Sequence, residues 1–155
     1  FIPGILRNVI LSHLSENTNN QLAHNKILKQ TIAINFIATL IPCILVFIFS
    51  GLIAKSYGQT FDGLAILISL ACFITIFSSI SNVYSQAYMS KGINWLMLRI
   101  RLFRDFGIVV LAYFLLNFTN SDFNGALLLI LSVLTINILF LLLMFIIYNK
   151  TLVDE

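Results

Sequence analysis

The sequence predicts an all-α integral membrane protein: four transmembrane helices, with a partial or interfacial helix ahead of them. Three observations carry this prediction. First, 59% of the 155 residues are hydrophobic, 10% are charged, and mean hydropathy is +0.99. Ordinary soluble domains carry about 25% charged residues. Second, the charges leave uncharged runs at 30–54, 63–90, 106–121 and 123–149, of 25, 28, 16 and 27 residues. A helix needs about 20 apolar residues to cross a hydrocarbon core of roughly 30 Å. Third, when the runs are threaded as alternating crossings, eight of the nine basic residues fall on one side. Such a bias marks the cytoplasmic face of membrane proteins. The composition excludes a soluble globular enzyme and a disordered segment, and the loops are too short to hold another domain.

The elements follow in order. Ile2, Ile5, Leu6, Val9, Ile10 and Leu14 recur at helical spacing. They suit either the end of an earlier span or a helix lying in the interface. The chain opens at Phe1 with an apolar stretch ahead of Arg7, the reverse of a secretory signal. An internal piece of a longer polypeptide is therefore expected. Residues 15–25 are polar and read as a connector. The first span is placed at 30–55, with Pro42 at its middle to kink it and Gly58 to cap its end. Asp62 is placed to cap the second span, 63–89.

The third span, 94–118, begins with Trp95, Arg99, Arg101 and Arg104. Their long side chains can snorkel to the headgroups while the helix is embedded. Arg101 and Asp105 stand four apart, a spacing that allows an ion pair. Asn117 to Asp122 form a polar turn, and the fourth span, 123–149, ends on the interfacial set Tyr148, Asn149 and Lys150. Both ends and the second loop are expected in the cytoplasm, with 56–62 and 118–122 outside.

No catalytic motif is present: there is no HExxH, no GxSxG, no phosphate-binding glycine loop and no pair of intramembrane carboxylates. The chain is not expected to be an enzyme or to hold a cofactor or metal. His13 and His24 read as solvated loop histidines, and Cys43 and Cys72 as small apolar fillers. The pI near 9.0 reports topology, not nucleic-acid binding, since no basic patch is interleaved with exposed aromatics.

Polar stripes within the spans are more informative. Cys72, Thr75, Ser79, Asn82 and Gln86 share one face of the second span, and Thr31, Asn35 and Thr39 share one face of the first. An unsatisfied amide is costly in hydrocarbon. Asn35, Thr39, Thr75, Ser79, Asn82 and Gln86 are thus expected to face the interior, as candidates for the path of a polar solute. The competing reading is close helix packing, for which Ala71, Thr75 and Ser79 supply a ladder of small residues. The cluster Arg99, Arg101 and Arg104, with Lys91 nearby, either fixes orientation or binds a lipid phosphate.

A wider pattern emerges from these landmarks. The chain has a basic connector, a span closing in Ser50, Ile53, Tyr57-Gly58 and Phe61, and a span reaching Gln86 and then Ser90-Lys91-Gly92. A basic-started span follows, and Asn124-Gly125-Ala126 opens the last. This order resembles the C-terminal lobe of bacterial polysaccharide (O-antigen type) flippases of the multidrug/oligosaccharidyl-lipid/polysaccharide exporter superfamily. Of the family's Gly-x-x-Gly-Ala turn only Gly125-Ala126 matches, and position 122 is Asp. The resemblance implies a two-lobe flippase fold of which residues 1–155 are a C-terminal-lobe fragment. It implies alternating access that moves an isoprenoid-diphosphate-linked oligosaccharide across the bacterial inner membrane. The implied partners are that lipid-linked oligosaccharide, membrane lipids and the remaining N-terminal lobe. A multidrug exporter of the same superfamily and a non-transporting four-helix membrane subunit are the alternatives.

Overall fold

The computed structural model describes residues 12–16, 21–58, 63–118 and 125–153, and they form helices joined by turns, with no strand among them. Four long helices are present: α1 (Gln21–Ser56), α2 (Leu64–Ser90), α3 (Asn94–Phe118) and α4 (Gly125–Val153). Residues 12–16 add a short helical piece whose Leu14 is buried in the core.

The helix positions match the expected spans, with one substantial difference. α1 begins at Gln21, so the second half of the polar connector is helix. The cause is a buried stripe, His24, Leu28, Thr31 and Asn35, spaced three or four apart so that it lines one face. Burial of that face outweighs the polar composition of 21–25. The helix continues through Pro42, whose ring nitrogen cannot donate to the Ala38 carbonyl. It closes as expected at Gly58, which has φ 99° and donates its N–H to the Lys55 carbonyl at 3.2 Å. The proposed Asp62 cap, the turn at 119–122 and residues 1–11 lie outside the described residues.

α2 ends in a Schellman turn. Ile93 N–H reaches the Tyr88 carbonyl and Gly92 N–H the Met89 carbonyl, both at 3.0 Å, with Gly92 at φ 76°. Glycine is suited here because the left-handed conformation crowds a Cβ. The turn sends α3 back along the bundle, and Ile93 packs against the core.

The helices lie in the spatial order α1, α2, α4, α3, with a smaller contact between α2 and α3. α1 runs antiparallel to α2: His24 meets Ser90, and Cys43 donates its S–H to the Cys72 carbonyl at 3.4 Å. α4 runs parallel to α2, with the Tyr88 hydroxyl donating to the Met144 carbonyl at 3.0 Å. α3 runs antiparallel to α4. Arg104 lies over the Phe140 ring at 5.5 Å, Gly107 faces Ile136, and Leu116 faces Gly125. That register extends along most of α3.

Most of the core sits at the end where α1 begins and α2 and α4 finish. Leu14, Val83, Ala87, Tyr88, Met97 and Met144 are each no more than 1% exposed there. Towards the other end large apolar side chains such as Phe47, Ile48 and Leu52 are exposed. An apolar exterior of this kind suits lipid or another apolar body. α1, α2 and α4 are each long and apolar enough to cross a membrane. α3 is long enough but too charged by that measure: every 18-residue stretch of it holds at least three of Arg99, Arg101, Arg104 and Asp105.

Candidate functional site

The residues singled out from the sequence do not converge on one cavity. Asn35 and Gln86 are buried, at 8% and 7% exposure, while Thr39 and Ser79 are half-buried. Thr75 and Asn82 are exposed on the surface of this chain, which differs from the interior placement expected for them. The reason is the packing order. α2 is flanked by α1 and α4, and the arc carrying Asn82 and Thr75 faces neither. The small ladder moves with it, since Ala71 and Thr75 are both exposed.

Several of these polar groups are satisfied by their own helix. Thr75 Oγ1 donates to the Ala71 carbonyl at 2.9 Å, Thr39 Oγ1 to the Asn35 carbonyl at 2.8 Å, and Asn35 Nδ2 to the Thr31 carbonyl at 3.1 Å. Such back-bonds let a hydroxyl sit in apolar surroundings without another partner. Two amides on α2 differ. The Gln86 Oε1 is buried and accepts no hydrogen bond, and Asn82 has no hydrogen-bond partner among the described residues. Both amides still require something polar, as does the buried Ser81 hydroxyl of the same helix.

The arginines separate as well. Arg99 is exposed, and Arg101 and Arg104 are half-buried. Five residues between Arg99 and Arg104 turn a helix by about 140°, so the two do not share a face. Arg104 makes the ion pair with Asp105, Nη2 to Oδ1 at 2.8 Å and Nε to Oδ1 at 2.9 Å, where the four-residue spacing had pointed to Arg101. Arg101 lines a groove of about 290 Å³ with Met89, Asn94, Trp95, Met97 and Leu98.

The best-defined polar site was read from the sequence as solvated loop. His24 is 1% exposed, and its ring bridges two other helices. Nδ1 lies 3.1 Å from the Tyr148 hydroxyl of α4, and Nε2 lies 3.2 Å from Ser90 Oγ of α2. The Tyr148 hydroxyl donates to Asn25 Oδ1 at 3.1 Å, and Ser90 Oγ to the Ala87 carbonyl at 2.8 Å. Tyr84 and Tyr88 pack edge-on against the Tyr148 ring at 5.7 and 5.8 Å. His24 stands before Lys26 and Lys29, outside the apolar stretch of α1. Burial, and then the charge of Lys91, push its imidazole below the ordinary value. The available signal was spacing: His24 falls in register with Leu28, Thr31 and Asn35.

Among the described residues no group of three or more His, Cys, Asp or Glu side chains could hold a metal ion. No protein-family model, curated protein or solved structure matches the chain.

Proposed function

We propose that this chain is part of a membrane flippase that moves an isoprenoid-diphosphate-linked oligosaccharide across the bacterial inner membrane by alternating access. The observation that carries the reading is a pair of unsatisfied amides on α2: Asn82 lies on an arc that the other helices leave uncovered, and Gln86, one turn on, is buried with its Oε1 unpaired. An amide facing hydrocarbon alone costs several kcal/mol, so a second helical lobe or a hydrated path belongs against that face. The pattern of motifs that resembles the C-terminal lobe of polysaccharide flippases supports the choice of a lipid-linked glycan as cargo.

In this reading α3 also crosses the membrane, as the third of four spans. Its antiparallel register with α4, from Arg104 at Phe140 to Leu116 at Gly125, supports that placement. The Arg104–Asp105 pair is the means by which its charged half is tolerated, since a neutralised pair costs far less in a bilayer than lone charges. The basic bias puts both ends of the chain in the cytoplasm. Arg99, exposed at the start of α3, is then the best placed to meet the phosphates of a lipid-linked substrate, with Arg101 beside the groove it lines; Arg104 is held by Asp105.

Export of a lipid-linked glycan by the full-length protein tests the reading. Asn82→Leu and Gln86→Leu, each inserted normally, are expected to cut export at least tenfold. Unchanged export in both would reduce the face to helix packing and favour a non-transporting membrane subunit.

A further inference from the structure

We propose that His24 is a proton-binding site built into the junction of α1, α2 and α4, and that taking up a proton there loosens this end of the bundle. The inference does not depend on the flippase reading. Its basis is a count of donors and acceptors. Both ring nitrogens face hydroxyl oxygens, Tyr148 on one side and Ser90 on the other. The Tyr148 hydroxyl donates to Asn25 Oδ1, so its oxygen receives a proton from His24 Nδ1–H.

Ser90 is the adjustable member. With neutral His24, Nε2 is an acceptor, and Ser90 turns its O–H from the Ala87 carbonyl towards the ring. With protonated His24, Nε2–H becomes a donor, and Ser90 returns its proton to Ala87. A hydroxyl rotor thus keeps the ring hydrogen-bonded in both charge states. What distinguishes the two states is charge. The imidazolium is buried at 1% exposure and lies close enough to Lys91 to be repelled by it, and burying an unpaired charge is strongly disfavoured.

The groups around the ring come from each packed element. α2 supplies Tyr84 and Tyr88, with Lys91 in the turn that follows it, and α4 supplies Tyr148. On α1 itself Lys26 and Lys29 are exposed. In residues 12–16, His13 and Glu16 are exposed and lie 3.9 Å apart. Among the described residues no carboxylate offsets a positive charge on the His24 ring. The phenols keep their protons far above the histidine range. The sign is therefore fixed. A group whose folded pKa is depressed contributes stability above its unfolded value, here about 6.5, and that contribution is lost as pH falls below it.

The test uses the protein in lipid nanodiscs with ¹⁵N-labelled histidine, in a His13→Gln background so that one ring reports. Ring-nitrogen shifts are followed from pH 8 to 4.5, and thermal unfolding is measured across the same range. The expected result is a titration midpoint below about 6.5, moved upward by Lys91→Gln, and a thermal midpoint that falls on acidification. Lys91→Gln shrinks that fall, and His24→Gln abolishes it. A midpoint at or above the ordinary value, or an acid loss that persists unchanged in His24→Gln, overturns the proposal. If His24→Gln does not fold, the ring titration decides: a His24 midpoint at or above the ordinary value overturns the proposal equally.

Discussion

At the scale of single residues, what matters is whether a polar atom finds its partner inside its own helix. Ser69, Thr75 and Ser85 do so through carbonyls one turn back, so their polarity says little about where they face. Tyr148 does not: its hydroxyl serves both His24 and Asn25 on another helix. Tyr148→Phe keeps the ring and its edge-on packing but strands two polar groups. It is expected to cost about 1–3 kcal/mol, read as a lower thermal midpoint, while Ser69→Ala is expected to change it by less than about 0.5 kcal/mol. Equal effects of the two would refute the distinction. This scale was the least legible in the sequence. His24 lies among Gln21, Ala23, Asn25 and Lys26, a composition that reads as loop. Its burial depends on Ser90 and Tyr148, 66 and 124 residues away. The local spacing with Leu28, Thr31 and Asn35 could mark the buried face, but not the partners that His24 meets there.

At the scale of elements the sequence was far more informative, because charge interruptions and apolar length act locally. The start of α3 and the end near Phe118 match the placement made from composition. Glycine at the cap of α1 behaves as expected. The discrepancy at the start of α1 arose because composition outweighed the three-and-four spacing that continues back from Asn35 to His24. Two substitutions test the element-level account. Gly92→Ala forces a Cβ into φ 76° with open space around it, so backbone strain alone is expected to cost about 1–2 kcal/mol. Gly107→Ala places its Cβ 3.5 Å from the Ile136 side chain, an ordinary contact. Removing a flexible residue from mid-helix is then expected to stabilise by about 0.5–1 kcal/mol. Thermal unfolding of both variants is the check. A destabilised Gly107→Ala would mean that α3 and α4 approach more tightly than the register indicates.

At the scale of the whole molecule, the row of helices has a well-packed end and an opposite end rich in exposed apolar side chains. The polar face of α2 opens sideways between them. Cysteines introduced at Gln59 and Asn120 are expected to react with an impermeant reagent from outside, while one at Asn20 is protected. Protection of both outer positions, with labelling at Asn20, would invert the orientation. The all-helical class and the succession of helices along the chain were readable because apolar length and charge interruptions act on every residue of a long apolar run. The sideways exposure of Thr75 and Asn82 was not readable. Periodicity shows which residues share a face but not which neighbour, if any, covers it.

The seating of α3 against α4 has a consequence for biogenesis. Arg99, Arg101, Arg104 and Asp105 occupy its first half, and each charge near a helix centre disfavours release from the translocon by about 2.5–3.5 kcal/mol. Alone, α3 is a poor candidate for partitioning into lipid. The Arg104–Asp105 pair forms within α3, but the Phe140 ring over Arg104 and the Gly107–Ile136 approach become complete only when α4 is alongside. Membrane entry of α3 is thus expected to wait for synthesis of the helix that follows it. An isolated α3 segment ending at Phe118 should be extractable at alkaline pH, and the same segment extended through α4 should be resistant.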